Sequence, residues 1–219
     1  MEIEVSTEEG VVRALAYPAL VGRPEPGDTV LLNTTALAMG LGTGGYAMVV
    51  ALPNRLPKDP QGPGHLVKAR YTPLQATVLG ADEQDSPFHE ALREADSLDG
   101  MPVVVADLHS ALPAILCGLY GSGPGRGPGR GPGRGPGEVR VAYVMLDGGA
   151  LPAWFSMSCA RLREIGWLDG VVTVGQAFGG DVEAVTLHTG LLAARHVMGA
   201  DVAVVTQGPG NLGTGTRWG

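Results

Sequence analysis

Asp107-Leu108-His109-Ser110 places a carboxylate, an imidazole and a hydroxyl within four residues, the groups that acid–base or metal chemistry needs. In extended chain Asp107 and His109 project to the same side. A second carboxylate stands at the end of an apolar run, in Asp147-Gly148-Gly149. Asp107, His109 and Asp147 are therefore the candidate catalytic groups. They are also the candidate ligands for a divalent metal, Mg²⁺, Mn²⁺ or Zn²⁺. The competing reading is that either aspartate simply caps a helix.

Polar and glycine residues gather after the other apolar runs. Gln176-Ala-Phe-Gly179-Gly180-Asp181 follows one, and Gln207-Gly208-Pro-Gly210-Asn211-Leu-Gly213-Thr214-Gly215 follows another. Glycines let backbone N–H groups approach a ligand, and Ser110, Gln176, Asp181, Gln207, Asn211 and Thr214 could orient it. With Gly148, Gly149, Gly179, Gly180, Gly208, Gly210, Gly213 and Gly215, these form the candidate ligand-binding set. Gly208-x-Gly210-x-x-Gly213 matches the dinucleotide fingerprint in spacing. Proline at 209, no helix pattern after it and no acidic ribose partner favour a generic anion cradle instead. Ser156-Met-Ser158-Cys159 lacks the strand–turn context of a nucleophile elbow. Trp154, Phe155 and Trp167 read as helix-core residues, and Cys117 and Cys159 as core thiols.

The elements that must position these groups alternate strand and helix. The apolar runs 103–106, 139–146, 171–174 and 202–206 predict strands, with an extended segment over 66–79 before them. Helices are predicted over 86–95 (capped by Ser86, with Pro87 in the first turn), 109–120, 150–165 and 181–198. Val103–Asp107 and Tyr143–Asp147 are each followed by Ala-Leu-Pro-Ala, an internal repeat that predicts two equivalent helix starts. Continuous Val-rich strands point to an α/β fold, a mostly parallel sheet with flanking helices. Its ligands would bind beyond the carboxyl ends of the strands.

Residues 1–62 have another texture. Short β-type runs separated by turn signals predict a small β-rich N-terminal domain of barrel or meander type. Residues 63–219 form the α/β domain, interrupted over 121–138 by a Gly-Pro-Gly-Arg repeat. That repeat lacks collagen's three-residue period and reads as a disordered insertion. Glycine at 35 residues and proline at 17 is about twice the usual share. The repeat, the N-terminal turns and the strand ends divide that excess among them.

Of the 219 residues 44% are hydrophobic, enough for a core, and 17% are charged. The net charge is −7, and it becomes −10 once the three arginines of the repeat are set aside. Such a body repels phosphate backbones, so no nucleic-acid partner is expected. The longest apolar run, Tyr46–Leu52, is seven residues, far short of the roughly 20 that a membrane helix requires. The acidic start Met1-Glu2-Ile3-Glu4 is unlike a secretory signal. A cytoplasmic protein without a membrane partner is the expectation. Two function classes remain: an enzyme or binder of a small anionic or phosphorylated ligand at the carboxyl edge, or a non-catalytic regulatory or protein-interaction module.

His65-Leu-Val-Lys-Ala-Arg-Tyr-Thr-Pro-Leu-Gln75, Asp107-Leu-His-Ser, Asp147-Gly-Gly-Ala-Leu-Pro-Ala, Val174-Gly-Gln-Ala-Phe-Gly-Gly-Asp and Val205-Thr-Gln-Gly-Pro-Gly-Asn-Leu-Gly-Thr-Gly-Thr-Arg217 also carry a resemblance. Together they resemble the bacterial domain-of-unknown-function 3866 family over most of the chain outside the repeat. The resemblance implies no particular activity. Its longer members continue past the last glycine loop. The chain stops just after a strand and glycine loop, where a covering helix would begin, so a C-terminally incomplete chain is expected.

Overall fold

The computed structural model describes residues 1–59, 61–121 and 139–217. Apart from Gly121, the predicted insertion lies outside them. The chain divides into two compact units, Met1–Gly62 with Tyr71–Ala76, and Pro63–Arg70 with Thr77–Gly219. It is an α/β protein with a β-rich N-terminal unit.

In the first unit, β1 (Glu2–Thr7) and β2 (Gly10–Leu15) pair antiparallel around a two-residue turn. The single turn α1 (Pro18–Val21) leads through residues 24–30 to β3 (Leu31–Asn33), α2 (Thr35–Ala38) and β4 (Ala47–Ala51). The sheet order is β1-β2-β4-β3, with β2 and β4 parallel. This open sheet is neither a closed barrel nor a meander, because β4 inserts between β2 and β3. Ala14, Ala16, Val21, Ala47 and Val49 form its core, with Ile3 and Val5 packed against them.

The second unit begins with the short pair β5 (Leu66–Lys68) and β6 (Ala76–Val78) and the helix α3 (His89–Arg93). Then come β7 (Val103–Val105), α4 (Leu112–Gly121), β8 (Val141–Leu146), α5 (Met157–Glu164) and β9 (Gly170–Thr173). β10 (Val182–Glu183), α6 (Leu187–His196) and β11 (Val202–Gln207) complete it. The five strands are all parallel in the order β10-β9-β8-β11-β7.

Alternation along the strands builds two cores. Val141, Tyr143, Met145 and Val204 meet Leu112 and Leu116 of α4 and Leu162 of α5. Ala142, Val144, Ala203 and Val205 meet Ala193 and Ala194 of α6 and Leu92 of α3. Both faces are thus apolar and covered, which explains why these strands read as unbroken hydrophobic runs.

Several predicted elements are corrected. The 66–79 segment is broken where Ala69 and Tyr71 take positive φ. The helix predicted over 86–95 starts at His89, since Ser86 Oγ instead accepts from the Phe88 N–H at 3.1 Å. Only the first Ala-Leu-Pro-Ala repeat opens a helix, α4. In the second, Pro152 stays extended and bridges Phe178, whose N–H donates to Leu151 O at 3.0 Å. A 3-10 turn over Ala153–Phe155 follows, and Ser156 caps α5 by accepting from the Cys159 N–H. The segment 181–198 opens as β10, and Thr186 caps α6. Cys117 is exposed on α4 while Cys159 is buried, and Trp154 lies half-exposed against Phe178. Among the described residues no helix is long and apolar enough to cross a membrane.

Candidate functional site

The parallel sheet delivers Asp107, Asp147 and Gln176 beyond the carboxyl ends of β7, β8 and β9, and Gln207 as the last residue of β11. β8 and β11 are neighbours in register, Leu146 beside Gln207, so their following loops lie side by side. The loops pack backbone on backbone. The Ala150 N–H donates to Pro209 O at 2.6 Å. A Cβ on Gly149 would overlap the Gly208 carbonyl, and one on Gly208 would stand 2.5 Å from Ala150 O. A Cβ on Gly148 would come within 2.6 Å of Gln207 Oε1. Gly149 and Gly208 are required by this backbone contact between loops, while Gly148 packs against the Gln207 side chain.

The neighbouring polar groups are likewise engaged. Asp147 Oδ2 accepts from the Gln176 N–H at 2.8 Å and sits against Gly175, whose φ of +61° suits glycine. Gln176 Oε1 accepts from the Arg70 N–H at 2.9 Å. The Trp154 ring covers Gly179, whose N–H donates to Glu183 Oε1 at 2.6 Å. The Gly180 N–H donates to Thr173 Oγ1. Asp181 lies at the opposite, amino edge. It precedes β10, pairs with Arg163 at 2.7 Å and accepts from the Val171 N–H at 2.8 Å. Beyond Gly208, the segment carrying Gly210, Asn211, Gly213, Thr214 and Gly215 has no helix, and a Cβ on any of those three glycines would meet nothing. The half-buried Asn211 keeps a buried Nδ2 without a partner.

His109 is not beside Asp107. Leu108 is extended and His109 opens a 3-10 turn over His109–Ala111, which folds the imidazole inward. Asp107 and Ser110 stay exposed, while His109 is only 6% exposed. Its Nε2 lies 2.7 Å from Ser156 Oγ and its Nδ1 2.9 Å from the Tyr143 hydroxyl. That hydroxyl is 2.9 Å from Thr206 Oγ1 and donates to Gln207 O at 3.0 Å. Every proton is paired in the following arrangement. Ser156 donates to Nε2, Nδ1–H donates to Tyr143, and Tyr143 and Thr206 both donate to Gln207 O. The histidine is neutral in that scheme, and burial pushes its pKa down accordingly. Among the described residues no group of three or more His, Cys, Asp or Glu is disposed to hold a metal. The expected Asp107–His109–Asp147 metal set therefore does not assemble.

Lys68 carries no predicted role, yet it is 2% exposed. Its Nζ donates to the carbonyls of Thr173, Ala177 and Ala184 at 2.8–3.0 Å and lies 2.8 Å from Glu183 Oε2. Burial lowers its pKa and Glu183 opposes that shift. The ammonium ties together the chain that leaves β9 and returns through β10. A lysine inside the run Leu66-Val67-Lys68 was the only signal in the sequence, and its partners lie far along the chain.

The first unit holds an open groove of about 630 Å³ between β1 and residues 24–30. Ile3, Glu4, Val5 and Ser6 all line it. Successive side chains of a strand alternate faces, so four consecutive lining residues mean that β1 presents its edge. The Ala16 N–H donates to Met1 O at 2.9 Å, and the β1–β2 register alternates from that pair. The main-chain groups of Glu4 and Ser6 therefore point away from β2.

No curated protein and no solved structure matches this chain. A family model described as "Protein of unknown function (DUF3866)" matches residues 13–219. With nearly the whole chain covered, including every strand of the parallel sheet, this protein belongs to the DUF3866 family.

Proposed function

We propose that this chain is a non-catalytic interaction module that binds a partner polypeptide through the groove beside β1. The observation that carries this reading is the contrast between the two candidate places. At the carboxyl edge, Gly148, Gly149, Gly208 and Asp147 are engaged with neighbouring loops, and His109 is satisfied within the core. The exposed carboxylates of Asp107 and Asp147 also make that edge unfavourable for an anion. In the first unit a groove of ligand-binding size borders an unpaired strand edge.

Thermal unfolding of the full chain with Mg²⁺, Mn²⁺, Zn²⁺, inorganic phosphate and nucleotides tests this. The expected result is no stabilisation by any of them. Stabilisation that disappears in Asp107→Ala or Asp147→Ala would restore the carboxyl-edge site and refute the module reading.

A further inference from the structure

The groove says what kind of polypeptide it takes, an inference that rests on the docking reading above. We infer that its occupant is an extended segment, added as a further strand to β1, in which basic residues alternate with apolar ones.

The open edge is the first reason. β1 is the outer strand of the order β1-β2-β4-β3, and its six residues span about 20 Å. The main-chain groups of Glu4 and Ser6 face the groove, and among the described residues no other strand bonds to that edge. Such an edge is a template for pairing, and strand addition is an established way of binding peptides.

The alternation of β1 supplies the pattern. Ile3 and Val5 are half-buried and pack against the core of the unit, whereas Glu2, Glu4 and Ser6 are exposed on the other face. An added strand would place every second residue beside Ile3 and Val5, where apolar side chains extend the buried surface. The intervening residues would lie beside Glu4.

Charge decides the intervening residues. The residues with charged side chains that line the groove are Glu4, Glu25 and Asp28, with no lysine or arginine among them. Asp28 is held by Arg55 and by the Glu25 N–H. Neither Glu4 nor Glu25 forms an ion pair among the described residues. The N-terminal ammonium is engaged by Ala16 O at 2.8 Å. Lysine or arginine opposite Glu4 is therefore favoured, and a carboxylate there is repelled.

The test uses three end-blocked octapeptides of alternating Lys-Val, Thr-Val and Glu-Val with the full-length chain. Calorimetry gives affinity and amide NMR gives location. The expected result is binding of Lys-Val at least tenfold tighter than Glu-Val, weakening as salt rises, with shifts at the Glu4 and Ser6 amides. Ser6→Pro should lower Lys-Val affinity at least tenfold, because the lost N–H faces the groove rather than β2. Glu4→Lys, at an exposed side chain, should reverse the order of Lys-Val and Glu-Val. Equal binding of all three peptides with shifts at β1 would overturn the basic occupant while leaving the docking reading intact. No β1 shift with any peptide would overturn both.

Discussion

Replacing Tyr143 by Phe removes one oxygen from the fully buried side of β8 and tests the hydrogen-bond scheme around His109. Tyr143 and Thr206 are 0% exposed, Ser156 5% and His109 6%, so no freed group can turn to water. The hydroxyl serves two partners in that scheme. It accepts from His109 Nδ1–H and donates to Gln207 O. After its removal Thr206 still donates to Gln207 O at 2.8 Å, so the carbonyl keeps a partner. His109 Nδ1–H does not. One orphaned buried donor costs about 1–3 kcal/mol. Thr206→Val is the control, because it removes a hydroxyl whose neighbours remain bonded through Tyr143, and it should cost less than about 1 kcal/mol. Native-state hydrogen exchange at the Val144 and Val205 amides reads the parallel sheet separately from the first unit. Tyr143→Phe should reduce protection there by roughly 5- to 150-fold, and ring-nitrogen NMR should find the His109 proton on Nδ1. A neutral Tyr143→Phe, or a Thr206→Val equally damaging, would refute the scheme.

Acid should act through the same histidine. Burial depresses its native pKa below the unfolded 6.5, so the stability it contributes is present above that pH. That stability is lost as pH falls from 6.5 toward the native value, by at most about 1.4 kcal/mol per pH unit. Denaturation midpoints between pH 7 and 5 should fall less steeply in His109→Asn; an unchanged slope would show that His109 does not titrate this way. Lys68→Met should cost about 3–5 kcal/mol in guanidinium unfolding, because Glu183 is left buried without its cation. Adding Glu183→Gln should recover part of that loss, and additive losses would count against the pair. Gly149→Ala forces a methyl onto the Gly208 carbonyl and should cost about 1–3 kcal/mol or more. Gly213→Ala meets nothing and should stay within about 0.5 kcal/mol. Equal thermal unfolding of those two variants would contradict the loop-on-loop packing.

The strands were the legible part of this fold. Val141–Leu146 and Val202–Gln207 are buried on both faces, so burial itself writes an unbroken apolar run into the chain. The helix starts were less so. Two identical Ala-Leu-Pro-Ala segments diverge because Pro113 lies inside α4 while Pro152 lies extended beside Phe178. Proline suits either conformation, and the choice depends on a neighbour supplied from elsewhere in the chain. The candidate site was legible as residue types at strand ends and not as contacts. Asp107 and His109, two residues apart, part company at a 3-10 turn that sends one outward and the other into the core. Asp181 looked like the end of one loop and stands immediately before β10, at the amino edge.

The sequence by itself determined the α/β class, the parallel sheet and the β-rich character of the N-terminal region, because hydrophobic periodicity is a local property of each segment. Only the tertiary structure decided what the glycines at 148, 149 and 208 are for. Their reason is a neighbouring loop, its backbone at Gly149 and Gly208 and the Gln207 side chain at Gly148, and no spacing along one chain reports the distance to it. The same holds for Lys68, enclosed by Glu183 and three carbonyls from two other segments. It holds also for β1, whose free edge follows from which strands pair with β2 and β4.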